Sequence, residues 1–296
     1  YTFSGLSAGQ SYSIRVYVRD TNGVDSNVYS INAETENSVL LADYIKGLYT
    51  SQGANGLYYH TSSLANSAAD NSYRYAGANP NNYVCFGSDA ASCPSANLYR
   101  IIGVFGNEVK LIKNTSYGSY AWDSGNSNTW NSSTKPDIRT TINSTFLETL
   151  SSTWQNKIAT HAYKVGGMTY SNGTRTPRTA YNYEVGANSS STTDSMKIGL
   201  MYVSDYGFAA SPDYWTTELY NYEPSKSSNW MNININEWTI SRSSDTSRGA
   251  FPVNSAGFVA NLTVDDSYGV RPVFYLTSSI TYASGSGLST DPIRVN

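Results

Sequence analysis

The N-terminal part of the chain alternates between apolar and polar positions. Over residues 11–20 every second side chain from the first tyrosine is apolar: Tyr12, Ile14, Val16 and Val18. This period of two predicts a strand with one buried face. Asn22-Gly23 follows, which is a strong hairpin-turn signal, and the run through Val28 and Ile31 predicts the returning strand.

Two later segments have the period of a helix. In residues 38–49 the apolar side chains form a single stripe, and Ser38 is the expected N-cap. In residues 135–163 Pro136 suits a first helical turn, and a break is expected near Asn143-Ser144. The apolar stripe of this second segment consists of Ile138, Ile142, Phe146, Leu147, Leu150, Trp154 and Ile158.

Short apolar runs between turn-forming residues predict the strands of the central region. They are 57–60, 72–75, 82–87, a hairpin of 98–105 and 108–113 around Gly106-Asn107, and a long strand at 197–209. Residues 164–197 are predicted as loop and 213–222 as a short helix. In the last third, four runs predict an antiparallel meander: 236–242, 249–254, 257–264 and 268–276.

Composition narrows the class of protein. Charged residues make 14% of the 296, the formal net charge is -3, and Tyr occurs 26 times. The chain has no apolar run long enough to cross a membrane and no basic patch, so neither membrane insertion nor nucleic-acid binding is expected. Strand formers exceed helix formers. The expected class is α+β, rich in strands, with two or three helices.

The two cysteines are close in sequence. Seven residues, among them Gly, Ser and Asp, separate Cys85 from Cys93, which suits a loop. In an oxidising compartment they are expected to form a disulfide; free thiols are the alternative. His60 and His161 are distant in sequence, so these residue types indicate no zinc site.

The first 33 residues resemble the last strands of a fibronectin type III domain. Leu6, Gly9 and Tyr12 lie before a strand, a hairpin and a last strand, similar to the tyrosine corner of that immunoglobulin-like β-sandwich. The resemblance covers residues 1–33 only, so it implies a partial sandwich. We expect that the chain is cut from a longer polypeptide, or that another chain completes the sheet through self-assembly. Residues 34–80 are expected to be a linker with a helix and a loop-rich lead-in.

Residues 81–296 resemble bacterial surface domains of unknown function with the C-type-lectin-like fold, distantly similar to formylglycine-generating enzymes. The motifs that carry the resemblance are NYVCFG, LYRIIGVF, VKLIK, TTINSTFLETL with Trp154, KIGLMYVSDYGFA, NEWTISRSS and YGVRPVFYL. The resemblance implies a compact domain whose loops project from one face and form the binding surface.

Two activities of that fold are not expected. Glu223-Pro224-Ser225 departs from the Glu-Pro-Asn string that holds calcium in sugar-binding relatives, and no Trp-Asn-Asp string occurs. No cofactor is therefore expected, although Asp265-Asp266 leaves bound calcium open as an alternative. The formylglycine enzymes need a reactive cysteine pair late in the chain, whereas both cysteines here are early.

Catalytic chemistry finds little support in the sequence. His60 and His161 each lack a nearby Asp, so structural roles are expected. Arg271 lies in an apolar strand and is expected to be a buried structural arginine. Glycoside hydrolysis needs a pair of carboxylates at a set distance, which the sequence alone cannot show. The available acids are therefore expected to be solvent-exposed loop residues: Asp205, Asp213, Glu218, Glu223 and Glu237.

The aromatic residues fall into two groups. Patterned elements are expected to bury Trp154, Trp230, Trp238, Phe251, Phe258 and Phe274. Polar segments are expected to expose Trp122, Trp130, Tyr214 and Trp215. Exposed Tyr and Trp beside Ser, Asn and Gly provide contact area and hydrogen bonds, as in antibody binding loops.

These observations predict a binding protein rather than an enzyme. The expected function is a secreted or cell-surface bacterial adhesion module that recognises a protein or glycan on another cell or host surface. The alternatives are a structural subunit of a surface layer or filament, and a carbohydrate-active hydrolase. The predicted ligand-binding residues are Tyr206, Tyr214, Trp215, Asn232, Asn234, Asn236, Arg242, Ser244, Asp245, Arg248, Asn254, Asp265 and Asp266.

Overall fold

The fold combines many short strands with short helices. The computed structural model describes Phe3, Leu6, residues 9–34 and residues 38–296. The other residues before position 9, which precede the first predicted strand, lie outside the described residues. Residues 35–37 of the predicted linker also lie outside them. Strand makes 30% of the structure and helix 22%, which confirms the mixed, strand-rich class.

The described strands and helices follow the chain in this order. The strands are β1 (Ser11–Val16), β2 (Tyr29–Glu34), β3 (Leu57–Tyr59), β4 (Tyr73–Tyr75), β5 (Tyr83–Cys85), β6 (Leu98–Phe105), β7 (Glu108–Lys113), β8 (Gly118–Ala121), β9 (His161–Lys164), β10 (Thr193–Met196), β11 (Ile198–Gly199), β12 (Glu237–Arg242), β13 (Gly249–Val253), β14 (Leu262–Thr263), β15 (Ser267–Val270), β16 (Val273–Tyr275), β17 (Tyr282–Ser284) and β18 (Arg294–Val295). The α-helices are α1 (Leu41–Gly47), α2 (Asp137–Thr140), α3 (Ser152–Asn156), α4 (Tyr170–Gly173), α5 (Pro177–Glu184) and α6 (Val203–Ala209).

Two sheets form the centre of the molecule. The larger has the order β11-β16-β7-β6-β4-β3, with β5 also paired to β6, and the smaller has the order β14-β13-β12-β15-β8. Strands β3 and β4 belong to the larger sheet, and the buried residues of α1 belong to the core. The packed unit therefore extends into residues 34–80, which were predicted as linker and lead-in. The two-stranded sheets are β1-β2, β9-β10 and β17-β18.

The two predicted hairpins form. Strands β1 and β2 pair antiparallel, and Gly23 has a positive φ of 83° in the long connection between them. Strands β6 and β7 pair antiparallel around Gly106, whose φ is 62°. A residue with a side chain rarely adopts such backbone angles, which explains glycine at both turns.

The apolar stripe of residues 135–163 is buried apart from Leu147, which is half-buried, but the helix is interrupted at a different place than predicted. After α2 the backbone is a π-helix over Thr141–Phe146 and a 3-10 helix over Leu147–Thr149. Leu150 is extended, and α3 begins after Ser151. The predicted break at Asn143-Ser144 is therefore displaced towards Leu150. The described chain has six short α-helices rather than two or three: the interruption divides this segment into α2 and α3, and α4, α5 and α6 form in segments predicted as loop or strand.

Other element predictions were wrong. Residues 197–209 form a strand only at β11 and continue as the helix α6. Every side chain of α6 is buried, so the helix has no polar face and its sequence shows no helical period. Residues 164–197 contain α5, whose N-cap Thr176 accepts a hydrogen bond from the backbone N–H of Thr179 at 3.3 Å. Ser38 is not an N-cap, since Leu40 precedes α1 without a side-chain cap.

The predicted meander fails at its fourth strand. Strands β12, β13 and β14 pair antiparallel in sequence order, but β15 pairs parallel with β12 and antiparallel with β8. The apolar run 268–276 divides at Arg271-Pro272, so that β15 and β16 belong to different sheets. Pro272 has no N–H to donate to a ladder, which favours a break at this position.

Candidate functional site

A groove of about 550 Å³ lies between the edge of the larger sheet and a long loop. The sheet contributes Tyr83 of β5 and Arg100 of β6, which are direct register partners. The turn after β7 contributes residues 114–116, and the opposite wall is formed by residues 226–235. Its size suits a small ligand or a short oligomer, and the groove is our candidate site.

The groove is lined by aromatic rings and by uncharged polar groups. Tyr83, which is half-buried, supplies an accessible ring, whereas Trp230 is only 3% exposed and belongs to the core. The polar side chains of Asn114, Thr115 and Ser227 make no hydrogen bond to any other described residue. These three side chains are therefore available to a ligand. An aromatic surface beside free amide and hydroxyl groups is a combination that binds polar ligands with an apolar face.

Arg100 lies at the base of the groove and is 6% exposed. Its Cζ is 4.3 Å from the ring centroid of Tyr83 and 4.6 Å from that of Trp230. Its Nε donates to Oδ1 of Asn82 at 2.7 Å. Burial, opposed by Tyr83 and assisted by the neighbouring cation Arg271, lowers the pKa of Arg100 to about 10.

Buried hydrogen bonds hold the wall of residues 229–235 in place. The indole Nε1 of Trp230 donates to the carbonyl of Tyr75 at 2.8 Å. Nη2 of Arg271 donates to the carbonyl of Met231 at 2.7 Å, while the guanidinium also binds both carboxylate oxygens of Glu237, at 2.6 and 2.9 Å. Arg271 is 1% exposed, which confirms the prediction of a buried structural arginine.

Several predicted ligand-binding residues meet beside the groove. Asn232 lines it, and Asn234 donates its backbone N–H to Oδ1 of Asn232 at 2.9 Å. Asn236 accepts a hydrogen bond from the backbone N–H of Ser255, in the turn that begins at Asn254. Sequence reasoning missed Tyr83, Arg100 and Lys226, because their nearness to this loop depends on long-range pairing.

Other predicted residues are in the core. Tyr206 is fully buried; its Oη donates to the carbonyl of Gly257 at 2.7 Å and accepts from Nδ2 of Asn232 at 3.1 Å. Tyr206 therefore positions the groove wall instead of touching a ligand. Trp215 is 1% exposed and packs with Phe208, and Tyr214 is half-buried.

The expected exposure of Trp122, Trp130 and Trp215 is wrong. Each is buried, and each indole N–H finds an acceptor inside the protein: the carbonyl of Thr239, a carboxylate oxygen of Asp194 and the carbonyl of Ala210, respectively. A polar sequence neighbourhood does not prevent burial once the single indole donor is satisfied.

The remaining predicted residues lie on separate exposed loops, except Arg242, which ends strand β12. Ser244, Asp245 and Arg248 are exposed, whereas Arg242 is half-buried and donates to the carbonyl of Val165 at 3.1 Å. Asp265 and Asp266 are exposed, and Asp266 accepts a hydrogen bond from Oη of Tyr268 at 3.1 Å. Within the described residues, no group of three or more His, Cys, Asp or Glu side chains is placed to hold a metal ion.

A second concave site of about 280 Å³ contains a buried network of charges. Asp205 lies 2.5 Å from Nζ of Lys110 and 3.4 Å from Nη1 of Arg74, and Arg74 also pairs with Asp70 at 2.7 Å. Two cations thus balance two carboxylates. Because these charges neutralise each other, the network has no net charge to offer a ligand.

The two histidines have structural surroundings. His60 is fully buried beside Trp215, and burial followed by the charge of Arg74 lowers its pKa well below the usual range. His161 stacks on Tyr275 with ring centroids 3.8 Å apart. Burial and then Lys110 lower its pKa to about 4, so its contact with Glu108 at 3.2 Å is a hydrogen bond from a neutral ring at physiological pH.

The disulfide between Cys85 and Cys93 forms as predicted. None of the helices in the described part of the chain has the length and apolarity needed to span a bilayer. Comparison with known proteins found no matching family model, no matching curated protein and no matching solved structure.

Proposed function

We propose that the protein is a secreted or cell-surface bacterial binding module that recognises a glycan in the groove beside Tyr83 and Trp230. The observation that carries this proposal is the lining of the groove, where the half-buried ring of Tyr83 lies near three polar side chains without internal partners. Sugar rings have apolar faces and many hydroxyl groups, so they match both features.

The disulfide and the composition support the proposed location. Disulfides persist in oxidising environments such as the extracellular space. The protein combines Cys85–Cys93 with a low charge content and a polar surface built from Ser, Thr, Asn and Tyr. These properties are typical of secreted bacterial surface proteins.

A glycan array with neutral and acidic oligosaccharides tests the proposal. We expect saturable binding that Tyr83→Ala weakens by about tenfold, because loss of one buried aromatic contact in a binding site typically removes about 1.4 kcal/mol or more. Tyr83 is half-buried and lines the groove.

Tyr220→Ala is the matched control, since this tyrosine is 42% exposed and lies outside the groove lining. Equal binding by both variants would remove the groove as the site. No binding to any glycan, together with saturable binding to a protein array, would replace the glycan with a protein ligand.

A second candidate function is self-assembly through the N-terminal hairpin. Strands β1 and β2 pair only with each other in the described sheets. Their cross-strand pairs Val16–Tyr29 and Ile14–Ile31 lie on one face, where Val16, Tyr29 and Ile31 are 58%, 78% and 55% exposed. An exposed apolar face on a two-stranded sheet favours pairing with a second copy of the chain.

A further inference from the structure

Arg100 is a buried cation without a carboxylate partner among the described residues. All of its hydrogen-bond acceptors are neutral: the side-chain oxygens of Asn82 and Asn79 and the carbonyls of Pro80 and Trp230. Burying a charge that no opposite charge compensates costs folding free energy. This arginine therefore leaves positive charge at the base of the groove.

The guanidinium of Arg100 is also only partly satisfied. It has five N–H groups, and four of them have acceptors within the protein. The contacts with Tyr83 and Trp230 fix its plane, so the remaining N–H of Nη1 has a defined direction. A pre-organised charged donor forms a stronger hydrogen bond with an anionic oxygen than with a neutral oxygen.

A second cation lies on the rim of the same groove. Lys226 is exposed, and its Nζ donates to the carbonyl of Ser255 at 3.0 Å, so two of its three N–H groups are free. The described lining of the groove contains Arg100 and Lys226 but neither Asp nor Glu. In the network around Asp205, by contrast, the charges are balanced.

We propose that the groove binds the anionic group of an acidic sugar, with Arg100 at its base and Lys226 on its rim as the two cations. This inference rests on the proposed glycan-binding function and adds the class of sugar to it. The anionic oxygens can belong to the carboxylate of a uronic or sialic acid or to a sulfate ester, and both present the same chemistry to a guanidinium.

Burial, with a smaller contribution from Arg271, lowers the pKa of Arg100 to about 10, although Tyr83 opposes the shift. The pKa of a cation rises when an anion binds beside it. A bound acidic sugar therefore lowers the free-energy cost of the buried charge. The thermal unfolding midpoint of the protein increases with the concentration of the sugar.

The test compares four oligosaccharides of equal length by calorimetry: oligogalacturonate, its methyl ester, a neutral galactan and a sulfated galactan. We expect oligogalacturonate or the sulfated galactan to bind at least about tenfold more tightly than its uncharged counterpart, with an affinity that falls as salt is added. Which of the two binds more tightly identifies the source of the anionic group.

Two variants connect the preference to the groove. Lys226→Glu is expected to reduce the affinity for the acidic sugar by about tenfold or more and to leave the neutral sugar unaffected. Arg100→Gln is expected to abolish the preference for the acidic sugar. Lys226 is exposed, so its variant tests the inference even if Arg100→Gln does not fold. The control is Arg178→Gln, because Arg178 is an exposed cation outside the groove.

The outcomes separate this inference from the proposed function. Equal affinity for all four oligosaccharides, the sulfated galactan included, overturns the inference and leaves glycan binding in place. Undiminished acidic-sugar binding by Lys226→Glu and Arg100→Gln overturns the groove as the anion site. Binding to none of these sugars, and to no glycan on the array, overturns the proposed function and the inference with it.

Discussion

Buried polar side chains of this protein act mainly by holding loops. Arg271 and Glu237 pair in the core, and the same guanidinium fixes the carbonyl of Met231 in the groove wall. Tyr206 fixes Asn232 in the same wall. The apolar surroundings of Arg271 in the sequence predicted its burial. The identity of its partners depends on a strand far along the chain, which no local pattern contains.

Glu184 shows how burial changes the charge state of a side chain. Its carboxylate accepts hydrogen bonds from the backbone N–H groups of Val203 and Ser204 at the start of α6 and from the hydroxyl of Ser241. Burial raises its pKa to about 7, against the effect of those hydrogen bonds, and the charge of Asp205 adds to the rise.

The raised pKa of Glu184 predicts a pH dependence of stability. The folded protein retains this proton up to about pH 7, whereas the unfolded chain loses it near pH 4.5. Between these values the folded state binds more protons, so this residue's contribution to the free energy of unfolding falls as pH rises. The free energy of unfolding of Glu184→Gln, taken relative to wild type, should therefore increase by on the order of 2 kcal/mol between pH 5 and pH 8.

Urea denaturation at pH 5 and pH 8 measures this difference. Comparison with wild type removes the contribution of His161, whose lowered pKa has the opposite effect over part of the range. Glu148→Gln serves as the control, because Glu148 is exposed. A parallel pH dependence in wild type and Glu184→Gln would contradict a raised pKa for this carboxyl group.

At the scale of single elements, the sequence pattern predicted the structure correctly where one face of an element is buried and the other is exposed to solvent. The hairpin of β6 and β7 and the apolar stripe of residues 135–163 are examples. The pattern failed for α6, which is buried on all sides, and for the run 268–276, which changes sheets at Arg271-Pro272. In both cases neighbours in the tertiary structure decide the conformation.

The disulfide is expected to stabilise the end of β5. Closing a loop of this length contributes about 2–3 kcal/mol in the chain-entropy model. Cys93→Ser should lower the free energy of unfolding by that amount in urea denaturation. Because the bond joins Cys85 to Cys93, reductant should lower the free energy of unfolding of wild type to that of the variant and leave the value of the variant unchanged. Full reduction of wild type without loss of stability would contradict this expectation.

At the scale of the whole molecule, the hairpin of β1 and β2 differs from the rest in having an exposed apolar face. If this face pairs with a second copy, wild type should form oligomers at micromolar concentration in analytical ultracentrifugation. Ile31→Asp should shift it to the monomer, because a charge in an apolar interface is costly. Ser13→Asp is the matched control on the other face of the same hairpin. A monomeric wild type over the whole concentration range would exclude this assembly.

The groove illustrates which part of the site was accessible from sequence. Asn232, Asn234 and Asn236 were predicted because a polar loop between strands is a typical binding surface. Arg100 was not predicted, since its segment has the pattern of a core strand and its charge gave no signal beside so many apolar neighbours. Only the pairing of β5 with β6, and the approach of the loop 229–235, make it a groove residue.

The sequence by itself determined the strand-rich class, the two hairpins, the disulfide and the burial of the amphipathic stripes, because short-range periodicity and turn chemistry encode these features. The tertiary structure decided the parallel pairing of β15 with β12, the burial of Trp122, Trp130 and Trp215, and the meeting of Arg100 with Lys226. These features depend on contacts between residues far apart in the chain, which are stabilised only once the core has formed.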